Sequence, residues 1–421
     1  MLFFKLKDKL FYGWVIVAAF LIIFTTIIGA RFSFGVFFKS IEGEFELTRA
    51  ATSSIFSTYM LFTVLFGVLG GWALDKYGPK PVMLLTGFFA GLGLILTSQT
   101  SSLWQLYITY SLFFAIGGGV VFVAAQSTVS KWFIKKRGLA LGIAGSGAGL
   151  GTVVIAPFSA YLISNLDWRT AYLVLGLLTL VIAIPLSSLL KREPSVVGSL
   201  PDGAKPDSIT IRQQDPANQR ASRLAGLSVS EAIRTRSIRG FLLVWLLGSA
   251  GRFIILTHIV PHTTDIGFST VEAATVLSLI GVAAIAGRIL MGAVSDRIGY
   301  KLTAIICSAI KTVAMVGVIW ANELWMLYLF AIFFGFVWGG LSPGLSGLLG
   351  KTFGLRRMGT IMGLMQIGFG IGAAAGPVLA GYIFDINNSY TIAFLLGAIF
   401  IFTRTFLITM IRKETVSIVP K

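Results

Sequence analysis

Twelve times along the chain a run of apolar residues goes on long enough to cross a bilayer before a short polar break ends it. The runs fall at about 12–38, 51–74, 81–100, 103–130, 138–163, 169–190, 240–262, 272–295, 302–321, 324–350, 358–384 and 390–411. About 20 residues of helix rise about 30 Å, the thickness of a hydrocarbon core. In that core each backbone N–H and C=O needs a partner, and a helix supplies one from its own segment. Continuous runs of this length are too long for tilted barrel strands, so the expected class is an all-α membrane protein. Composition agrees: 56% of residues are hydrophobic and 12% charged, against about 25% charged in soluble domains. The first run is too long for a secretion signal, and eleven more follow, so it is expected to remain as a helix.

A formal charge of +17 invites a nucleic-acid partner, but the distribution argues for topology instead. With the N-terminus placed inside, 26 Lys and Arg fall in inside loops and tails. Three (Lys39, Arg49, Arg169) fall outside, and five lie within the runs. Such asymmetry puts both termini in the cytoplasm, and nucleic acid is not an expected partner. Membrane lipid is. Cys307, the sole cysteine, allows no intrachain disulfide.

The sequence is also written twice. "GGWALDKYGPK" (70–80) and "MGAVSDRIGYK" (291–301) place Gly71, Asp75, Gly78 and Lys80 on Gly292, Asp296, Gly299 and Lys301, each 221 residues on (296 less 75). The same offset carries Trp104 to Trp325, Gly147 to Gly368, Gly151 to Gly372 and Arg31 to Arg252. The unit duplicated is six helices long, so both copies keep one orientation in the membrane. Parallel repeats of this kind describe the halves of the major facilitator superfamily. The expected layout is two pseudo-symmetric six-helix bundles, 1–190 and 240–421, joined by a cytoplasmic linker. The linker, 191–239, holds Pro194, Pro201, Pro206 and Pro216, with a short surface helix expected near 228–236.

The repeated phrase lies in an inside loop of each half. Gly71 and Gly292 let helices approach closely. Asp75 and Asp296 stand beside basic residues at helix ends, where a carboxylate can latch onto the adjoining helix in one conformation and release it in another. The phrase resembles the superfamily's signature loop motif, and these four residues are read as gating residues.

Charges within the membrane mark function. All 17 acidic residues lie in loops, tails or helix ends, whereas Arg31, Arg252, Arg288, Lys311 and Arg404 lie within the runs. Buried guanidinium groups need an anion, and a planar carboxylate fits the Arg fork in bidentate fashion. The cavity is therefore read as one for a small organic anion. Arg288 is the first candidate, with Ala284 and Gly292 one turn to either side. Arg31 and Arg252 are symmetric cavity groups or snorkel to the surface. Lys311 receives no role, and Arg404 is expected to snorkel toward the inner face. His258 and His262 lie one turn apart, with Pro261 expected to break the helix between them. No further His or Cys completes a metal site. His258 is a cavity hydrogen-bonder or proton carrier, or packs at a gate. No nucleophile–base pair indicates an enzyme, and no cofactor is expected.

"FYGWVIVAAF" (11–20), "VFFKSIEGEF" (36–45), "LTHIVPHTTDIGFS" (256–269) and "AAIAGRILMGAVSDRIG" (283–299) resemble the monocarboxylate transporters, and the bacterial group of them that neighbours the oxalate/formate antiporters. The likeness runs over the whole chain. It implies that Arg288 pairs with a substrate carboxylate and that import is proton-coupled, in a bacterial inner membrane, by a monomer. There are departures. Ala284 stands where animal members carry an acid, and Phe32, beside Arg31, stands where they carry a Lys. Gln366 lies where oxalate exchangers carry a second cation, which disfavours dicarboxylates. The expected function is proton–monocarboxylate symport of a solute such as lactate or pyruvate. The alternatives are organic-anion exchange and, further off, drug or metabolite export; the fifth-run glycine–proline motif of drug exporters is poorly matched, since Ala156 precedes Pro157.

Overall fold

The computed structural model describes residues 11–134, 136–203, 235–353 and 358–411. Among them, twelve helices are long and apolar enough to cross a membrane. They are α1 (Tyr12–Glu44), α2 (Arg49–Tyr77), α3 (Pro79–Thr97), α4 (Leu103–Trp132), α5 (Gly138–Asn165), α6 (Trp168–Ser188), α7 (Ser237–Asp265), α8 (Thr270–Ile298), α9 (Tyr300–Trp320), α10 (Leu324–Phe353), α11 (Ile361–Asn387) and α12 (Thr391–Met410). The surface helix expected near 228–236 lies almost wholly outside the described residues.

Local chemistry sets the helix ends. Asp167 caps α6, its Oδ1 accepting from the Thr170 N–H at 2.8 Å and its Oδ2 from the Thr170 hydroxyl at 2.7 Å. Those hydrogen bonds hold its carboxyl below the usual range. Ser269 and Glu272 form a reciprocal capping box at the start of α8. The repeated phrase ends on Gly78 and Gly299, with φ of 82° and 92°. A side chain would be strained in that conformation, so the glycine is written twice. α1 bends at Ser33, where one turn residue separates Tyr12–Phe32 from Phe34–Glu44.

The contacts divide the chain into two compact units. One draws its described residues from Met1–Ser33 and Phe62–Gln214, the other from Phe34–Leu61 and Asp215–Lys421. The end of α1 and the start of α2 thus pack with the second sequence half. In the first unit α1 packs on α5 and α3 on α6, around Phe20, Tyr110, Phe114, Trp132 and Tyr172. In the second, α7 packs on α11, α8 on α10, and α9 on α10 and α12, with Phe241, Cys307, Leu349, Phe353 and Met365 in its core. Large apolar side chains such as Val68, Val181, Ile289 and Val313 remain exposed, which suits a surface that faces lipid.

The duplication is visible in the packing. A Cβ added at Gly147 would strike the Leu21 carbonyl, and one at Gly368 would lie 2.6 Å from the Leu242 carbonyl. A Cβ at Gly151 would lie 2.7 Å from Thr25 O, and one at Gly372 would strike Leu246 O. Each pair of partners differs by the same 221 residues (242 less 21, 246 less 25). The α1–α5 and α7–α11 contacts are therefore one contact made twice, with backbone against backbone as small residues permit.

Candidate functional site

Arg288 sits on α8, partly buried, where α8 and α10 come closest. A Cβ on Gly287 would strike the Phe336 carbonyl, and one on Gly339 the Ala284 carbonyl. Two side chains are thus replaced by backbone on either side of the arginine, and Ala284 before it is 5% exposed. Arg252, on α7, is held among aromatic faces, its Cζ 4.8 Å from the Phe253 ring centre, 4.9 Å from Phe369 and 5.5 Å from Trp338. Arg31, in the first unit, lies 4.5 Å over the ring of its own successor, Phe32, as Arg252 does over Phe253. The two arginines thus repeat in setting as well as in register. Gln366 is partly exposed on α11. Arg252, Arg288, Gln366 and His258 all belong to the second unit and Arg31 to the first.

His258 is completely buried and fully engaged. Its Nε2 lies 2.9 Å from the Pro377 carbonyl and 3.2 Å from Ser53 Oγ. A carbonyl only accepts, so Nε2 carries the hydrogen. In the neutral ring Nδ1 is then the acceptor, 3.1 Å from the Tyr390 hydroxyl. Tyr390 in turn accepts from Arg49 Nη1 at 2.5 Å. Donors and acceptors run in one direction, from Arg49 through Tyr390 to a neutral His258. Pro261 does not break the helix as expected; α7 continues through it to Asp265, as membrane helices allow when neighbouring groups satisfy the freed carbonyl. His262 sits edge-on to Tyr390 and Phe394. Among the described residues no group of three His, Cys, Asp or Glu gathers to hold a metal.

Arg49 is the centre of this region, although the sequence counted it only among the outside cations. It is 7% exposed. Its Nε donates to Glu42 at 2.7 Å, and Nη1 and Nη2 take both oxygens of Asp265 at 3.0 and 3.1 Å. Lys39 joins Asp265 at 2.5 Å. Asp385 accepts from the Arg49 and Ala50 N–H groups at 2.8 and 2.9 Å, a carboxylate at the positive end of α2. The Phe384 ring lies 4.2 Å beneath the guanidinium. All these partners are in the second unit, at the end where α1, α7 and α11 finish and α2 and α12 begin. Sequence reading missed Arg49, Glu42, Asp265, Asp385 and Tyr390 because each stands beside a polar break, where charge is ordinary. One signal was available: position 49 plus 221 is Thr270, so Arg49 is a charge that the repeat does not copy.

Arg404 does not snorkel. It is 5% exposed and lies against Gly248 on α7, because α12 turns that face toward α7 and α9. Among the gating residues, Asp75 and Asp296 are exposed. Tyr300 donates to Asp296 at 3.0 Å, and Arg192 donates to the Asp75 backbone carbonyl at 2.5 Å. Gly71 and Gly292 are partly exposed, a Cβ on either meeting nothing nearer than Val123 at 3.5 Å or Pro343 at 4.0 Å.

Comparison with known proteins agrees with the all-helical fold. Rat monocarboxylate transporter 13 is 26% identical over 93% of this chain and 86% of its own length. Human monocarboxylate transporter 11 is 27% identical over 94% and 82%, and rat monocarboxylate transporter 12 is 28% identical over 91% and 82%. The fold matches a solved structure of a bacterial homologue of the human lysosomal transporter Spinster in an inward-facing, occupied conformation. The TM-score is 0.73 at 16% identity, over 96% of this chain and 97% of that one. The family model of the Major Facilitator Superfamily matches residues 15–377 and again 283–418. The chain is a transporter, not an enzyme, and it belongs to the Major Facilitator Superfamily.

Proposed function

We propose that this protein carries a small monocarboxylate, such as lactate or pyruvate, together with a proton by alternating access. One observation carries the reading. Every described acidic side chain lies in a loop or within a turn or so of a helix end, while Arg31, Arg252 and Arg288 stand inside the spans. A membrane interior with fixed cations and no carboxylate favours an anionic solute. Relatives of this chain bear the name monocarboxylate transporter along nearly its whole length, which supports the same class. Arg288 would hold the carboxylate in its fork, with Arg252 and Gln366 as further binding residues of the same unit and Arg31 as the matching cation of the first. The charge asymmetry of the loops supports both termini in the cytoplasm; the rest of the proposal is a monomer in a bacterial inner membrane, built of the bundles 1–190 and 240–421.

A monovalent anion entering alone against an inside-negative potential costs about 2.3 kcal/mol per 100 mV; one accompanying proton removes that cost. His258 is the proposed carrier. A proton arriving at Nδ1 turns an acceptor into a donor, so Tyr390 must stop donating to it and its bond from Arg49 must shift. Protonation would then reach Glu42 and Asp265 through shared partners.

The test is uptake of labelled lactate, pyruvate, acetate, formate and oxalate into proteoliposomes. Acidifying the outside should speed monocarboxylate uptake, and an imposed voltage should leave it unchanged. Uptake that ignores pH and needs a trapped anion on the far side would establish exchange instead.

A further inference from the structure

A second group of cations lies inside the second unit, apart from Arg288. Lys311 on α9 is 1% exposed and Arg404 on α12 is 5% exposed. Among the described residues neither forms an ion pair. The Lys311 ammonium lies 4.4 Å over the Phe334 ring of α10. The Arg404 guanidinium lies against α7, where a Cβ on Gly248 would stand 2.7 Å from its Cζ and 2.8 Å from its Nε and Nη1. Arg252 follows Gly248 by one turn on α7. α9 and α12 pack in opposite directions: Lys301 Nζ donates to the Thr409 and Ile411 carbonyls at 2.8 Å, and a Cβ on Gly397 would lie 2.5 Å from Met315 Cε, which sets Arg404 level with Cys307 and Ser308.

The polar neighbours are donors as well. Ser308 precedes Lys311 by three residues and Cys307 by four, so both share its face of α9. Both are completely buried. Ser308 Oγ and Arg404 Nε are buried with no hydrogen-bond partner among the described residues. An ammonium, a guanidinium N–H, a hydroxyl and a thiol thus lie along the buried stretch where α9 meets α12, and among the described residues no carboxylate pairs with the two cations. Buried donors are ordinarily satisfied, and like charges in a weakly polar interior repel strongly. A small acceptor-only ligand corrects both faults at once.

We propose that Lys311, Arg404 and Ser308, with Arg252 at the margin, form an internal anion site within the second unit. It would take a small monovalent anion, either chloride or the carboxylate of a transported solute. The site is distinct from Arg288 and does not depend on which solute Arg288 holds.

The test is thermal unfolding of the purified full chain in detergent, in sodium chloride, in sodium acetate and in the sodium salt of a bulky organic sulfonate, at equal ionic strength. Binding to the folded state alone should raise the midpoint by about 3 °C or more in chloride or acetate over the sulfonate. A response to chloride alone identifies an inorganic anion; the acetate arm is read in Arg288→Ala, which removes acetate binding at the transport site, and a response there identifies a carboxylate. Lys311→Met should abolish the response and Ser308→Ala should weaken it. Should Lys311→Met fail to accumulate, Ser308→Ala decides. Arg288→Ala should keep the response, which separates this site from the transport site. Equal midpoints in all three salts would overturn the proposal. So would a response unchanged in Lys311→Met and Ser308→Ala, or one lost in Arg288→Ala.

Discussion

At Arg288 the proposed role turns on the shape of one side chain. Lysine keeps the charge but loses the planar fork, and a hydrogen bond to a charged group is worth about 1.5–3 kcal/mol. Arg288→Lys should therefore lower kcat/KM for a monocarboxylate by about tenfold or more, with Arg288→Ala worse. Unchanged uptake in Arg288→Ala would remove the assignment. Tyr390 is the second such position. Tyr390→Phe keeps the ring among Phe384, His262 and Phe394 but deletes the hydroxyl that joins Arg49 to His258. Measured as uptake against external pH, it should flatten the acid activation that the wild type shows, as should His258→Ala. A steep pH profile in both variants would leave symport standing and remove the histidine from it. Arg288 and His258 were legible in the sequence because an ionisable group in an apolar run has few bland explanations. Arg49 was not, since only the fold shows that Asp265 and Tyr390 come from distant places to join Glu42 in burying it.

All twelve helices were legible, most ends within about three residues, since hydropathy and backbone satisfaction dictate them together; α1 runs past its expected end at 38 to Glu44. Their interiors were less so: α7 runs through Pro261, and Arg404 faces inward rather than toward a surface, because neighbouring helices decide what a side chain meets. The repeated close approaches supply a prediction at this scale. Valine at Gly368 must force α7 from α11, and valine at Gly147 must do the same to α1 and α5. Overpacking of this kind costs about 1–3 kcal/mol, so both variants should lower the unfolding midpoint by similar amounts. A large loss at one position with none at the other would contradict the equivalence. The loop carboxylates belong here too. Asp75→Asn with Asp296→Asn should slow the turnover rate several-fold while leaving substrate affinity near that of the wild type. Equal rates would remove the gating role.

Across the whole molecule, the duplicated sequence describes two equal halves, and the offset of 221 residues holds in backbone contacts as well as in letters. The compact units are not equal, because Phe34–Leu61 leaves the first half for the second. Nothing in hydropathy marks that transfer. It follows from Gly35, whose Cβ would lie 3.1 Å from the Thr257 carbonyl, and from the ring of acids that Arg49 gathers. The transfer also bears on how the protein is made. Arg49 leaves the ribosome with Glu42 already beside it, but Asp265 lies 216 residues later and Tyr390 341 residues later. Through most of translation a guanidinium destined for burial waits without its bidentate carboxylate, and only the last helix brings the tyrosine. A chain truncated before α12 should therefore insert α1 and α2 yet leave the Phe34–Leu61 segment open to protease. Newly made chains should gain protection there only when α12 has entered the membrane, so that entry of the span that follows Tyr390, 341 residues downstream, and closure of this region become a single event.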